Sequence, residues 1–137
     1  MERRGEESTR FFSREEAQSL VRQLQPRLSH WMQERYAFER KVGEWRKQRD
    51  ALLQRKGEIA EDALFALEAA LRVEKLALEG EVASLRRVGI QPCCLWYGAF
   101  DFAETTTRHF CWRWDETYIA YMHFASEGYA QRRPLER

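Results

Sequence analysis

From Ala17 onward the apolar residues step by fours and threes: Ala17, Val21, Leu24, Leu28, Trp31, then Phe38, Val42, Trp45 and Leu52. Only Arg35 and Arg49 interrupt the register. Spacing of this kind returns to one side of an α-helix every two turns, so it predicts a long helix whose apolar seam faces another helix. Ser13, with Glu16 three residues on, predicts the start: each side chain satisfies a backbone N–H that the first turn leaves unpaired. If the helix continues to about Arg55 it is roughly 60 Å long, at 1.5 Å per residue. Pro26 lies inside it and lacks a backbone donor, which predicts a kink there.

A second seam comes after the break expected at Gly57: Leu64, Leu67, Leu71, Leu78, Leu85 and Val88, with Glu74 and Glu81 in register. Gly89 is placed to end this helix in a left-handed conformation, with Pro92 close behind. Two helices joined by a few residues fold back as an antiparallel hairpin. The first is about ten residues longer. Its excess, Arg14 to Gln25, is amphipathic through Ala17, Leu20, Val21 and Leu24 and is expected to cover one face of the segment beyond Gly89.

From Gly89 the period changes and aromatic residues crowd together. Leu95–Phe102, His109–Trp114 and Tyr118–Phe124 read as three strands of an antiparallel meander, with Asp115-Glu116-Thr117 as a hairpin turn. A three-residue turn would place His109 opposite His123 and Cys111 opposite Tyr121, away from Trp112. A two- or four-residue turn would instead put Ile119, Tyr121 and His123 on the face of Phe110, Trp112 and Trp114. A one-residue slip swaps the faces. The second arrangement gives the more uniformly apolar face and is the one preferred from sequence. The expected fold is therefore α+β, a long antiparallel, coiled-coil-like helical hairpin carrying a small C-terminal three-stranded antiparallel meander. Residues 1–10 form a disordered N-terminus, 11–88 the hairpin, and 89–137 the aromatic-rich β lobe and tail.

Charge narrows the partners. Charged residues make up 33% of the 137 positions, yet 23 basic and 22 acidic side chains leave a net charge of only +1. A broad nucleic-acid surface needs uncompensated positive charge. Among the strands only Arg108 and Arg113 are basic, and Asp101, Glu104, Asp115 and Glu116 offset them. There is no apolar run of about 18 residues to span a membrane, and the charged N-terminus does not read as a signal peptide. Three cysteines, two of them adjacent, make no disulfide framework, so reduced thiols in a cytoplasm are expected.

Several of these residues carry a resemblance. Phe12-Ser13-Arg14-Glu15-Glu16-Ala17 is similar to an F-[ST]-x-E-E-A opening that leads into a leucine-rich helix with a proline. The likeness resumes at Gly89-Ile90 and at Gly98-Ala99-Phe100-Asp101-Phe102. It is densest at Cys111-Trp112, Glu116, Ile119, Tyr121, His123, Gly128-Tyr129 and Arg132-Arg133-Pro134-Leu135. In these features the chain resembles the bacterial family of domain of unknown function 2203, over nearly its whole length. Asp115, Met122 and Gln131 stand where the family pattern has Gly, Trp and Gly. Gln91-Pro92-Cys93 replaces a more polar segment. The resemblance implies a helical hairpin with a small β lobe and no established reaction.

Cys93, Cys94, His109, Cys111 and His123 are all metal-ligand types. No C-x-x-C pair or helical H-x-x-x-H organises them. The set expected for a divalent cation such as zinc is Cys111, Glu116 and His123, which the resemblance marks together. A small-ligand site is the related option, with Asp101, Glu116, His123 and Arg132 converging between Trp112 and Tyr121. Each has a structural counterpart: buried thiols, a turn-capping Glu116, and His123 and Arg132 pinning the tail. Cys111 beside a histidine is a nucleophile in principle, but an alternating strand context favours a buried thiol. Trp31, Phe38 and Trp45 are large for a two-helix seam. The sequence reading is therefore a non-enzymatic interaction or scaffold protein that forms a homodimer, or takes a helical partner, through its hairpin. A metal or small-ligand module of the β lobe is the alternative.

Overall fold

A computed structural model describes residues 10–54 and 61–136. Of the expected disordered segment 1–10, all but Arg10 lies outside these residues, as does the break at Gly57; Arg10 itself donates to the Val88 carbonyl at 3.3 Å and lies over the Phe12 ring. Two helices, α1 (Arg14–Leu53) and α2 (Glu61–Arg87), precede a five-stranded antiparallel sheet: β1 (Gln91–Cys94), β2 (Ala99–Ala103), β3 (Arg108–Arg113), β4 (Tyr121–Phe124) and β5 (Arg133–Pro134). The strands lie in the sheet in chain order. The chain forms two compact units. One holds the described residues up to His30 and from Val82 onward; the other is Trp31–Glu81.

Helix α1 begins as its sequence dictates. The Glu16 amide donates to Ser13 Oγ at 3.0 Å, and the Ser13 amide donates to Glu16 Oε1 at 2.8 Å. The helix runs through Pro26 without interruption. At the other end, the Gly89 amide bonds the Arg86 carbonyl and the Ile90 amide bonds the Leu85 carbonyl, both at 3.0 Å. Together they close α2 in a Schellman motif, with Gly89 at φ 94°. Leu85 and Ile90 are both buried, which supplies the apolar contact the motif favours.

In the first unit, Ala17, Val21, Leu24 and Leu28 are buried, as are Phe100, Phe102, Phe110 and Trp112 of the sheet. Phe12 packs edge-on against Phe102, with ring centres 5.3 Å apart. Polar side chains of α1 bind the segment linking β3 to β4. Gln18 accepts from the Ile119 amide at 2.7 Å and donates to the Thr117 carbonyl at 3.0 Å; Arg14 donates to the Ile119 carbonyl at 3.0 Å. The early turns of α1 thus serve the β lobe, as their amphipathic pattern predicts.

The second unit buries Trp31, Met32 and Leu71. Trp31 Nε1 donates to the Leu78 carbonyl at 3.1 Å, and Lys41 pairs with Glu74 at 3.0 Å. Arg35, which breaks the apolar register, is buried beside Trp31 and paired with Glu39 at 3.2 Å.

Two expectations about the sheet are corrected. It has five strands rather than three. The additional strands are the two edges, each short and containing a proline (Pro92 and Pro134), a residue tolerated where a ladder ends. The preferred register of β3 and β4 is also overturned: His109 faces His123, and Phe110 faces Met122. Residues between β3 and β4 form an irregular link instead of a tight hairpin, so strand β4 starts only at Tyr121. His123 consequently points away from the Trp112 face.

Candidate metal centre

Alternation along each strand divides the sheet. Phe100, Phe102, Phe110, Trp112 and Met122 share one face, while Asp101, His109, Cys111, Tyr121 and His123 share the other. On β2 and β3, Asp101 lies directly opposite Cys111. Between Pro92 and Cys94 the β1–β2 register shifts, leaving Cys93 at a bulge. The result is a cluster of four potential ligand atoms, from Cys93, Asp101, Cys111 and His123, all within 4.8 Å of one another. Asp101, Cys111 and His123 are buried and Cys93 is half-buried.

The contacts are specific. His123 Nε2 lies 3.0 Å from an Asp101 carboxylate oxygen and 3.6 Å from Cys93 Sγ. Its other nitrogen, Nδ1, is 2.7 Å from the Phe124 carbonyl, an acceptor that can only receive a proton from the ring. Nδ1 therefore carries hydrogen, and Nε2 is the nitrogen offered to the cluster. Asp101 Oδ2 is in turn 3.2 Å from His109 Nδ1.

These contacts set the protonation of the cluster. Cys111 is raised above the ordinary thiol range because its S–H donates to the Cys93 sulfur, with burial and the Asp101 charge adding to the effect. Cys93 is lowered by the same hydrogen bond, and His123 helps, against burial and Asp101. Burial of His123 works against its charged form. The Phe124 carbonyl, Asp101 and Cys93 outweigh that and raise it.

The donor set fits a zinc-class ion. Zinc takes thiolate, imidazole and carboxylate donors in tetrahedral array, and its bond lengths put neighbouring donors roughly 3.3–3.8 Å apart. The 3.0 and 3.6 Å separations lie near that range, and no pair exceeds 4.8 Å. Four protein donors fill a tetrahedron and leave no position for a reacting water.

The residues expected from sequence divide into two groups. Cys111, His123 and Asp101 join the cluster. Glu116 does not: it forms a two-pronged pair with Arg132, at 2.6 and 3.0 Å, and its carboxylate also accepts from the Arg113 amide at 2.9 Å. The Arg132 guanidinium lies 4.1 Å from the Tyr121 ring centre and 4.5 Å from that of Tyr129. It also reaches the Cys111 carbonyl at 3.5 Å. Trp112 is on the opposite face, with its Nε1 bonded to the Glu116 carbonyl at 2.7 Å, so it and Tyr121 do not wall one pocket. Glu116, Tyr121 and Arg132 together pin the tail to the sheet.

Cys93 and Asp101 are the cluster members that sequence reasoning leaves out of the metal set, and His109 is the residue behind Asp101. Adding β1 to the meander and counting strand alternation back from Asp101 opposite Cys111 is the signal that finds them. A family model described as an uncharacterized conserved protein, DUF2203, matches residues 10–135. No curated protein and no solved structure matches the chain.

Proposed function

The chain belongs to the DUF2203 family, and on that premise we propose that its β lobe is a metal-binding module. It holds one zinc-class divalent cation through Cys93, Asp101, Cys111 and His123. The observation that carries this reading is the convergence of two thiols, a carboxylate and an oriented imidazole nitrogen within 4.8 Å. Buried charge is costly unless paired or bound to a metal, and three of these groups are buried. The ion ties β1, β2, β3 and β4 together, and its role is structural, not catalytic, because the protein donors complete its shell. The reading places the protein in a reducing bacterial cytoplasm, where free thiols persist; all three cysteines are unpaired. Cobalt(II) titration of chelator-treated protein tests it. One equivalent should give the intense visible bands of a tetrahedral thiolate site, lost in Cys111→Ser. Weak octahedral spectra at every ratio would refute it.

A second reading is favoured by a separate observation. In the unit Trp31–Glu81, Tyr36, Phe65, Val73 and Leu76 are all exposed. Apolar surface of this extent suits an interaction role, with α1 and α2 forming a coiled-coil-like hairpin that self-associates as a scaffold. Sedimentation velocity of the full chain over a wide concentration range tests it: a monomer throughout would reject self-association.

A further inference from the structure

Helix α2 carries two apolar stripes. Leu71, on the seam with Leu64, Leu67 and Leu78, is buried. About half a turn of the helix away, Phe65 and Val73 are each 68% exposed and Leu76 is 67% exposed. Ala66, Ala69 and Gly80 belong to the same side and are exposed too. At 100° per residue the side chains from Phe65 through Gly80 fall within a wedge of roughly 100°. A Cβ built on Gly80 would meet nothing within 4 Å. The stripe lies wholly inside the unit Trp31–Glu81.

We infer that this outer stripe of α2 is a self-recognition face, which packs antiparallel against the same stripe of a second copy of the chain. The inference rests on the self-association reading and gives it a face and a register. Ala66, Ala69, Val73, Leu76 and Gly80 are spaced by three and four, the positions of a coiled-coil seam. Reversing the helix about a two-fold axis between Glu74 and Lys75 maps Ala69, Val73, Leu76 and Gly80 of the stripe onto one another. Val73 of one copy then lies against Leu76 of the other, and Ala69 against Gly80. Two larger side chains fill the centre, and small residues outside them let the backbones approach. An isologous interface requires this kind of self-complementarity.

Charge selects the antiparallel direction. The first turn of α2 carries Glu61 and Asp62, which a parallel pair would set side by side with their like-charged counterparts. Antiparallel packing separates them and brings Arg72 beside Glu79 of the other copy, twice by symmetry. Arg72 is exposed and bonds Glu68 of its own helix at 2.8 Å, a partner that the pairing exchanges for Glu79 of the other copy. The occupant that matches this apolar, small-residue and charge pattern is therefore a second copy of this chain.

Sedimentation equilibrium of the full chain, beside circular dichroism, tests the inference. The wild type should dimerise. Val73→Glu with Leu76→Glu should raise the dimer dissociation constant at least about 100-fold. Gly80→Leu should weaken the dimer about 10-fold or more while leaving the helix signal intact, because the added side chain enters open space in one copy and clashes only in two. Arg72→Glu should weaken it, and Arg72→Glu with Glu79→Arg should restore it to within about twofold of wild type. A wild-type monomer up to about 1 mM overturns self-association and the face together. A dimer that survives Val73→Glu with Leu76→Glu leaves self-association standing and overturns this face. A dimer lost on that change but indifferent to Gly80→Leu and to the charge exchange overturns the antiparallel register.

Discussion

Asp101 and Cys111 are direct cross-strand partners on β2 and β3, and they place a carboxylate and a thiol on the face opposite the Trp112 core. The membership of the cluster is built on that pairing. His123 joins it from β4 and Cys93 from the β1 bulge, while Glu116 stays outside, bound to Arg132.

Loss of a ligand should cost far more than loss of its support. Cys111→Ser and His123→Ala each remove one of four donors and should lower zinc affinity at least about 100-fold. His109→Ala leaves the donors in place and removes one partner of Asp101 Oδ2, so a loss of about 10-fold is expected. Competition against a chromophoric chelator measures all three. Equal losses for His109 and His123 would place His109 among the ligands.

Metal removal should destabilise the folded chain. A ligand present at about 100 times its dissociation constant stabilises by about 2.7 kcal/mol. Calorimetry with and without chelator should show a lower Tm for stripped protein, restored by zinc and absent in His123→Ala. A Tm indifferent to chelator would count against a bound ion.

The Arg132–Glu116 pair should matter for stability and not for metal content. Their side chains are only 12% and 16% exposed. Arg132→Ala strands the Glu116 carboxylate, and a loss of about 3 kcal/mol is expected in urea denaturation. Zinc stoichiometry should be unchanged. Loss of zinc at preserved stability would assign Arg132 to the metal site instead.

One surface carboxylate gives a pH dependence with a definite sign. Glu127 is lowered, first because it accepts from the Phe124 amide and then because Arg133 pairs with it. A lowered carboxylate stabilises the fold above its unfolded pKa, and that stability is lost as pH falls through the folded value. Glu127→Gln should therefore lower Tm at neutral pH, and the difference from wild type should vanish under acid. A difference independent of pH would contradict the ionic origin.

Legibility in the sequence tracks how local each determinant is. Ser13 with Glu16, and Gly89 after Leu85, act within six residues, and both ends form as their residues dictate. The cores of β2 and β3 are visible as aromatic runs. The β3–β4 register is not, because uniform apolarity singles out a buried face only when the other face is exposed. Here both faces are buried, and His123 and Cys111 belong to the polar one. The segment between β3 and β4 is set by contacts with Gln18 and Arg14, about a hundred residues earlier, which no local pattern encodes. Edge strands of four and two residues with prolines are likewise settled by pairing, not by propensity. For the site, Cys111 and His123 are legible as ligand types, whereas Cys93 needs strand β1, which its residues do not predict.

Native mass spectrometry of tagless protein purified without chelator tests the metal site most directly. One zinc-class ion per chain is predicted, retained in Glu116→Gln and absent in Cys111→Ser. Metal-free wild-type protein that also fails to take up zinc on titration would contradict it.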